Sequence, residues 1–221
     1  MARMLADRDS TELHLNFARR HQRLARRFGL TDLVAAIKPA IDDLAKKQSI
    51  AADRDLDRQG AYDDVLAADA ELDDAIRDVF DSATIFDRNN TGARTVETLF
   101  PDGGYGGLVD EPLAQEPASA DALATKVTSL GADHALAPHA AKLTATAKVV
   151  RDAFTAQGEA IRISKSAEAD EEIAQAALRR AYETNYLNAR HAIGRAKGER
   201  LFPKANRATA EAPATPAPAT P

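Results

Sequence analysis

Histidines and carboxylates are the side chains from which this chain could build a metal or acid–base centre, and their spacing limits what they can do. Helical bundles hold di-iron centres through Glu-x-x-His pairs on facing helices. Here neither Glu nor Asp stands three residues before His14, His21, His134, His139 or His191. On one helix His14 and His21 lie two turns apart, roughly 10 Å along an axis rising 1.5 Å per residue, too far to share an ion. His134 and His139 flank Pro138, so an ion there needs ligands from another helix. No metal site and no cofactor is expected.

Two stretches imitate a calcium loop. Asp53-x-Asp55-x-Asp57 alternates correctly, but Arg58 stands where the sharp turn needs glycine. Asp87-x-Asn89-x-Thr91-Gly92 has the glycine, yet Thr98 holds the twelfth position where a bidentate Glu belongs, with Glu97 one residue early. A helix end built on Asn90 and Gly92 explains the second stretch better. Gly103, Gly104, Gly106 and Gly107 are followed neither by the Lys and hydroxyl of a P-loop nor by a third glycine at nucleotide-fold spacing. No Gly-x-Ser-x-Gly elbow occurs, and cysteine is absent, which excludes disulfides, thiolate zinc and a cysteine nucleophile. The spacing leans away from an enzyme.

Two features of another kind remain. Arg19, Arg20, Arg23, Arg26 and Arg27 form the densest charge run, beside Leu13, Phe17, Leu24 and Phe28. Such density suits phosphates. The same chain offers Asp69, Glu71, Asp73, Asp74, Asp78 and Asp81, so pairing within the molecule or a solvated face is the favoured expectation. Leu99-Phe100-Pro101 recurs as Leu201-Phe202-Pro203. Each motif is either an apolar residue folding back beyond a helix end or one of two equivalent tips for partner docking.

The elements that must position these residues read as helices. Aromatics are only 5% of the chain while hydrophobic residues reach 44%, much of it Ala, which suits close helix packing and starves a β-sandwich. Steps of three and four run through Leu136, Ala140, Leu143, Ala147, Val150, Phe154, Gln157 and Ile161, through Leu33 or Val34, Ile37, Ile41, Leu44 and Gln48, and, with one step of seven at its start, through Val65, Leu72, Ile76, Val79, Ala83 and Phe86. Segment 76–101 lies on 178–203 at a shift of 102 without a gap, matching Arg77 with Arg179, Arg88 with Arg190, Gly92 with Gly194 and Glu97 with Glu199. Phe80 then faces Tyr182, and Ile85 faces Leu187.

The expected fold is therefore all-α: an antiparallel helical bundle of two tandem pseudo-repeated helical hairpins, each with a short leading helix. Turns are expected at Gly60 in the first hairpin and at Ser164 and Ser166 in the second. Residues 1–9 form a flexible N-terminus, 10–98 the first repeat, 99–118 a Gly/Pro-rich connector, 119–205 the second repeat and 206–221 a disordered Pro/Ala/Thr tail. The charged Met1–Ser10 segment has no signal-peptide core, and no window has a membrane-spanning apolar run, so the cytoplasm is the default location.

None of these motifs is the signature of a family. The leading expectation is a non-enzymatic interaction protein, a structural subunit, adaptor or scaffold component, with a protein partner or self-association. Its net charge of −5 argues against nonspecific attraction to polyanions over the whole surface. Two alternatives stand: a nucleic-acid-associated protein using the arginine helix, and an enzyme or small-molecule binder with a pocket between the repeats.

Overall fold

A computed structural model describes residues 2–203. Ser10 opens α1 (Thr11–Arg27), its hydroxyl accepting from Leu13 N at 3.3 Å, with Glu12 in the first turn and Arg26 and Arg27 in the last, as the helix dipole favours. Gly29, at φ 72°, ends this helix in the left-handed region that costs other residues a steric penalty. Then follow α2 (Thr31–Asn89), α3 (Thr95–Leu99), α4 (Gly106–Val109), α5 (Glu116–Ser129), α6 (Ala137–Ile193), α7 (Arg195–Gly198) and a 3₁₀ turn, Glu199–Leu201. No strand occurs among the described residues, and none of their helices is long and apolar enough to cross a membrane.

The hairpin turns expected at Gly60 and at Ser164 and Ser166 are not there. α2 runs 59 residues through Gly60 and α6 runs 57 through both serines. Glycine inside a helix costs about 1 kcal/mol relative to alanine, too little to stop a helix anchored by packing on either side. Local pairs also reinforce this stretch, with Arg54 on Asp57 at 2.9 Å and Arg58 on Asp55 at 2.7 Å. Pro39 sits inside α2, whereas Pro138 is in the first turn of α6, where its missing N–H has no helical partner to lose.

The contacts divide the chain into two units: Met1–Ala52 with Ser166–Pro221, and Asp53–Lys165. The first unit packs α1, the start of α2 and the end of α6 around Leu15, Ile37, Leu44, Leu178, Tyr182 and Phe202. The second packs α5, the rest of α2 and the start of α6 around Leu72, Ile76, Leu99, Phe100, Leu123 and Leu143.

The segment expected to be flexible and the Gly/Pro-rich connector are both packed. Within residues 2–9, Leu5 is buried, Arg3 N donates to Pro203 O at 2.8 Å, and the Arg3 guanidinium bonds Asp9 at 2.8 Å. An apolar anchor with backbone bonds offsets the ordering entropy that charge alone leaves uncompensated. In the connector, Tyr105, Leu108 and Val109 pack against the second unit's core. The Pro/Ala/Thr tail, 206–221, lies outside the described residues.

Candidate functional site

α1 positions the arginines. At 3.6 residues per turn its buried residues, His14, Leu15, Ala18, His21 and Ala25, face the core. Arg19, Arg20, Arg23, Arg26 and Arg27 then share the opposite face, within an arc of roughly 120°. All five are exposed, and among the described residues none takes part in an ion pair. Of the two expectations, pairing within the molecule or a solvated face, their exposure fits the solvated face. The acids of α2 named above belong to Asp53–Lys165, and three of them have partners there: Arg77 bonds Asp73 and Asp74, and Lys142 bonds Asp78.

Charge is unevenly divided. Met1–Ala52 with Ser166–Pro221 carries 18 Lys and Arg against 13 Asp and Glu, while Asp53–Lys165 carries 11 against 21. The whole-chain value of −5 hides a basic and an acidic unit. In the basic unit, a recess of about 270 Å³ is lined by Phe28, Ile193, Lys197 and Arg200, and Phe28 is 59% exposed. This is an apolar patch with two cations beside it, in the same unit as the arginine face.

The Leu-Phe-Pro motifs are placed differently from the docking expectation. Leu99, Phe100, Leu201 and Phe202 are each at most 3% exposed, and Pro203 is buried too, leaving only Pro101 exposed. Each phenylalanine locks a helix end onto its core. Phe100 meets Phe80 edge-on with centroids 5.3 Å apart, and Phe202 meets Tyr182 at 5.1 Å. Burial of the aromatic payload makes these motifs core, not docking tips.

Sequence spacing missed two buried polar groups. In the basic unit, His21 Nδ1 donates to Leu201 O at 3.3 Å, and the Asn185 amide donates to His21 Nε2 at 3.1 Å and to Leu33 O at 2.8 Å. Phe202 stacks on the imidazole at 4.2 Å. These bonds fit one neutral tautomer, and burial pushes the His21 pKa down to about 4 against the opposing pull of Leu201 O. With both nitrogens engaged, the ring is neither a free base nor a metal ligand.

In the acidic unit, Glu116 is 1% exposed and lies against Asp69 and Asp73. Glu116 Oε1, Asp69 Oδ1 and Asp73 Oδ1 are all shielded from water with no donor to bond them. Burial first, and the two neighbouring carboxyls next, push Glu116 up to about 9. A proton on Glu116 supplies the donor that the trio lacks. Asp69 and Asp73 stand four apart on a helix; the sequence signals that much, but only packing brings Glu116 onto them.

Both calcium-like stretches are accounted for structurally. Asp53, Asp55 and Asp57 lie within α2. The Asp87 carboxylate accepts from Thr95 N and Val96 N, both at 2.9 Å, capping α3. Burial opposes that charge, but the backbone bonds prevail and hold it below the usual carboxylate range. Asn90 donates to Phe86 O at 2.8 Å, and Gly92 takes φ 92°, the helix end expected there. Among the described residues no group of three His, Cys, Asp or Glu side chains is arranged to hold a metal ion.

No protein-family model, curated protein or solved structure matches the chain.

Proposed function

We propose that this chain is a non-enzymatic helical-bundle protein that acts by binding another protein, with the arginine face of α1 as its contact surface. The carrying observation is that five exposed guanidiniums share one helix face without an ion-pair partner among the described residues. Like charges three and four residues apart weaken a helix, so an acidic partner removes a cost that the free molecule bears. Arginine also suits the role, because its planar fork meets a carboxylate through two parallel bonds. The buried polar groups His21 and Asn185 have their bonds inside the molecule and lend no support to a catalytic reading.

Parallel crosslinking captures with the natural chain and an R19E/R23E/R26E variant test this. A partner held by the first and lost by the second supports the reading. Partners retained equally by both would remove its basis. The exposed arginines also favour a second reading, nucleic-acid association, for which the readout is a salt-titrated oligonucleotide assay with the same variant.

We further infer that the chain is two tandem copies of one unit, each a short helix, a single long helix and a helical end closed by Leu-Phe-Pro. Supporting this are features 102 residues apart: Gly29 and Gly131 at φ 72° and 105°, Gly92 and Gly194 at 92° and 79°, and the Phe80–Phe100 and Tyr182–Phe202 pairs.

A further inference from the structure

We propose that the acidic partner of the arginine face is the α2 acidic stripe of a second copy of this chain. This rests on the reading of α1 as a contact surface and names its occupant. Glu71, Asp74, Asp78 and Asp81 are all exposed, in the unit that carries 21 acids against 11 bases. Their steps of three, four and three place them on one face of α2, within roughly 80° of arc at 3.6 residues per turn. The arginines repeat the same period: Arg19, Arg23 and Arg26 step by four and three, while Arg20 and Arg27 flank them.

Two helices laid side by side with these stripes facing place a guanidinium opposite a carboxylate at each step. The period matches whether the helices run parallel or antiparallel. Glu71 and Asp81 have no ion-pair partner among the described residues. Asp74 is engaged through Oδ1 by Arg77 at 2.8 Å, and Asp78 through Oδ2 by Lys142 at 2.6 Å. Each keeps its other oxygen for a second guanidinium. The contact joins different surfaces of the two copies, so it extends a chain of molecules unless the rotation closes.

Sedimentation of the full chain over a range of concentrations is the test, with two variants of reversed charge, R19E/R23E/R26E and E71K/D74K/D78K/D81K. At low ionic strength the natural chain should gain mass with concentration, and raising salt from about 50 to 300 mM should weaken association at least about tenfold. Each variant alone should stay monomeric. Their equimolar mixture should associate, because every reversed face again meets its opposite. The milder E71Q/D81N leaves the Arg77 and Lys142 pairs intact and should weaken association while far-UV circular dichroism stays unchanged.

A natural chain that remains monomeric at low salt up to about 1 mM would refute the proposal; affinities weaker than that are negligible. So would a mixture of folded variants that fails to associate. An oligonucleotide probe separates the two levels of inference. Arginine-dependent binding of the probe by a monomeric chain overturns the second-copy partner and leaves α1 as a contact surface.

Discussion

At positions 21 and 185 the basic unit buries histidine and asparagine; 102 residues away the acidic unit has Leu123 and Ala83, both buried and apolar. At a second pair of positions both units carry polar groups. Glu116 and Asp73, crowded together in the acidic unit, stand 102 residues from His14 and Gln175, where His14 Nδ1 donates to Ser10 O at 2.9 Å and the Gln175 amide donates to Asp9 O at 3.0 Å. A third pair differs in how a helix end closes. Asp87 caps α3 through its carboxylate, whereas at Ala189, 102 residues on, Gly198 lies so close that a Cβ there would meet backbone at 3.0 Å. His21 thus has both ring nitrogens bonded within its own unit, whereas Glu116 Oε1 and Asp73 Oδ1 are buried without a donor.

The sharpest way to break the comparison is to remove its shared anchor. Phe100→Ala and Phe202→Ala should each cost about 3–5 kcal/mol in chemical denaturation. The second should cost more, because Phe202 touches His21, Tyr182 and Tyr186. Equal losses would mean that the histidine cluster adds nothing to the basic unit.

Next, Asn185→Ala leaves His21 Nε2 and Leu33 O without their donor and should destabilise by about 1–3 kcal/mol. Adding His21→Leu, which reproduces the acidic unit's pair, should recover part of that loss in a double-mutant cycle. Gly198→Ala should destabilise by about 1–3 kcal/mol, since the added methyl group meets backbone of Ala189 and Arg190. The reciprocal Val96→Gly should also destabilise, through lost packing on the core as well as helix propensity, by about 1–3 kcal/mol.

The two units should respond oppositely to pH. Folding holds His21 neutral, with its pKa lowered from 6.5 to about 4, so its stabilisation is complete above 6.5 and is lost as pH falls through 4. Glu116 is raised from 4.5 to about 9, so its contribution is complete below 4.5 and is lost as pH rises toward 9. The groups facing it are Asp69 and Asp73, the latter held by Arg77 at 2.9 Å. Urea titrations read by NMR signals from each unit, at about pH 5, 7 and 9, check this. Glu116→Gln should flatten the alkaline limb alone. The smallest effect belongs to R19E/R23E/R26E, which should leave stability within about 0.5 kcal/mol because these side chains are solvated and have no ion pair among the described residues.

Much of this was legible in the chain. The steps of three and four in Leu136, Leu143, Ala147 and Val150 mark a helix face, and all four are buried. Gly92 and Asn90 mark the helix end that exists there. The turns at Gly60, Ser164 and Ser166 were misread because helix breakers are weak local signals and long-range packing overrules them. The Leu-Phe-Pro motifs admit both a core and a docking reading, since an aromatic residue at a helix end has the same local sequence in either case.

Local chemistry in the sequence determined which segments become helices, which face of α1 is charged and where glycine can close an end, because these depend on side chains within a turn or two of one another. Only the tertiary structure decided that His21 meets Asn185, that Glu116 meets Asp69 and Asp73, and that the arginines go unpaired among the described residues. Burial and charge pairing depend on what lies across the core. A partner 164 residues distant leaves no mark in the residues beside it.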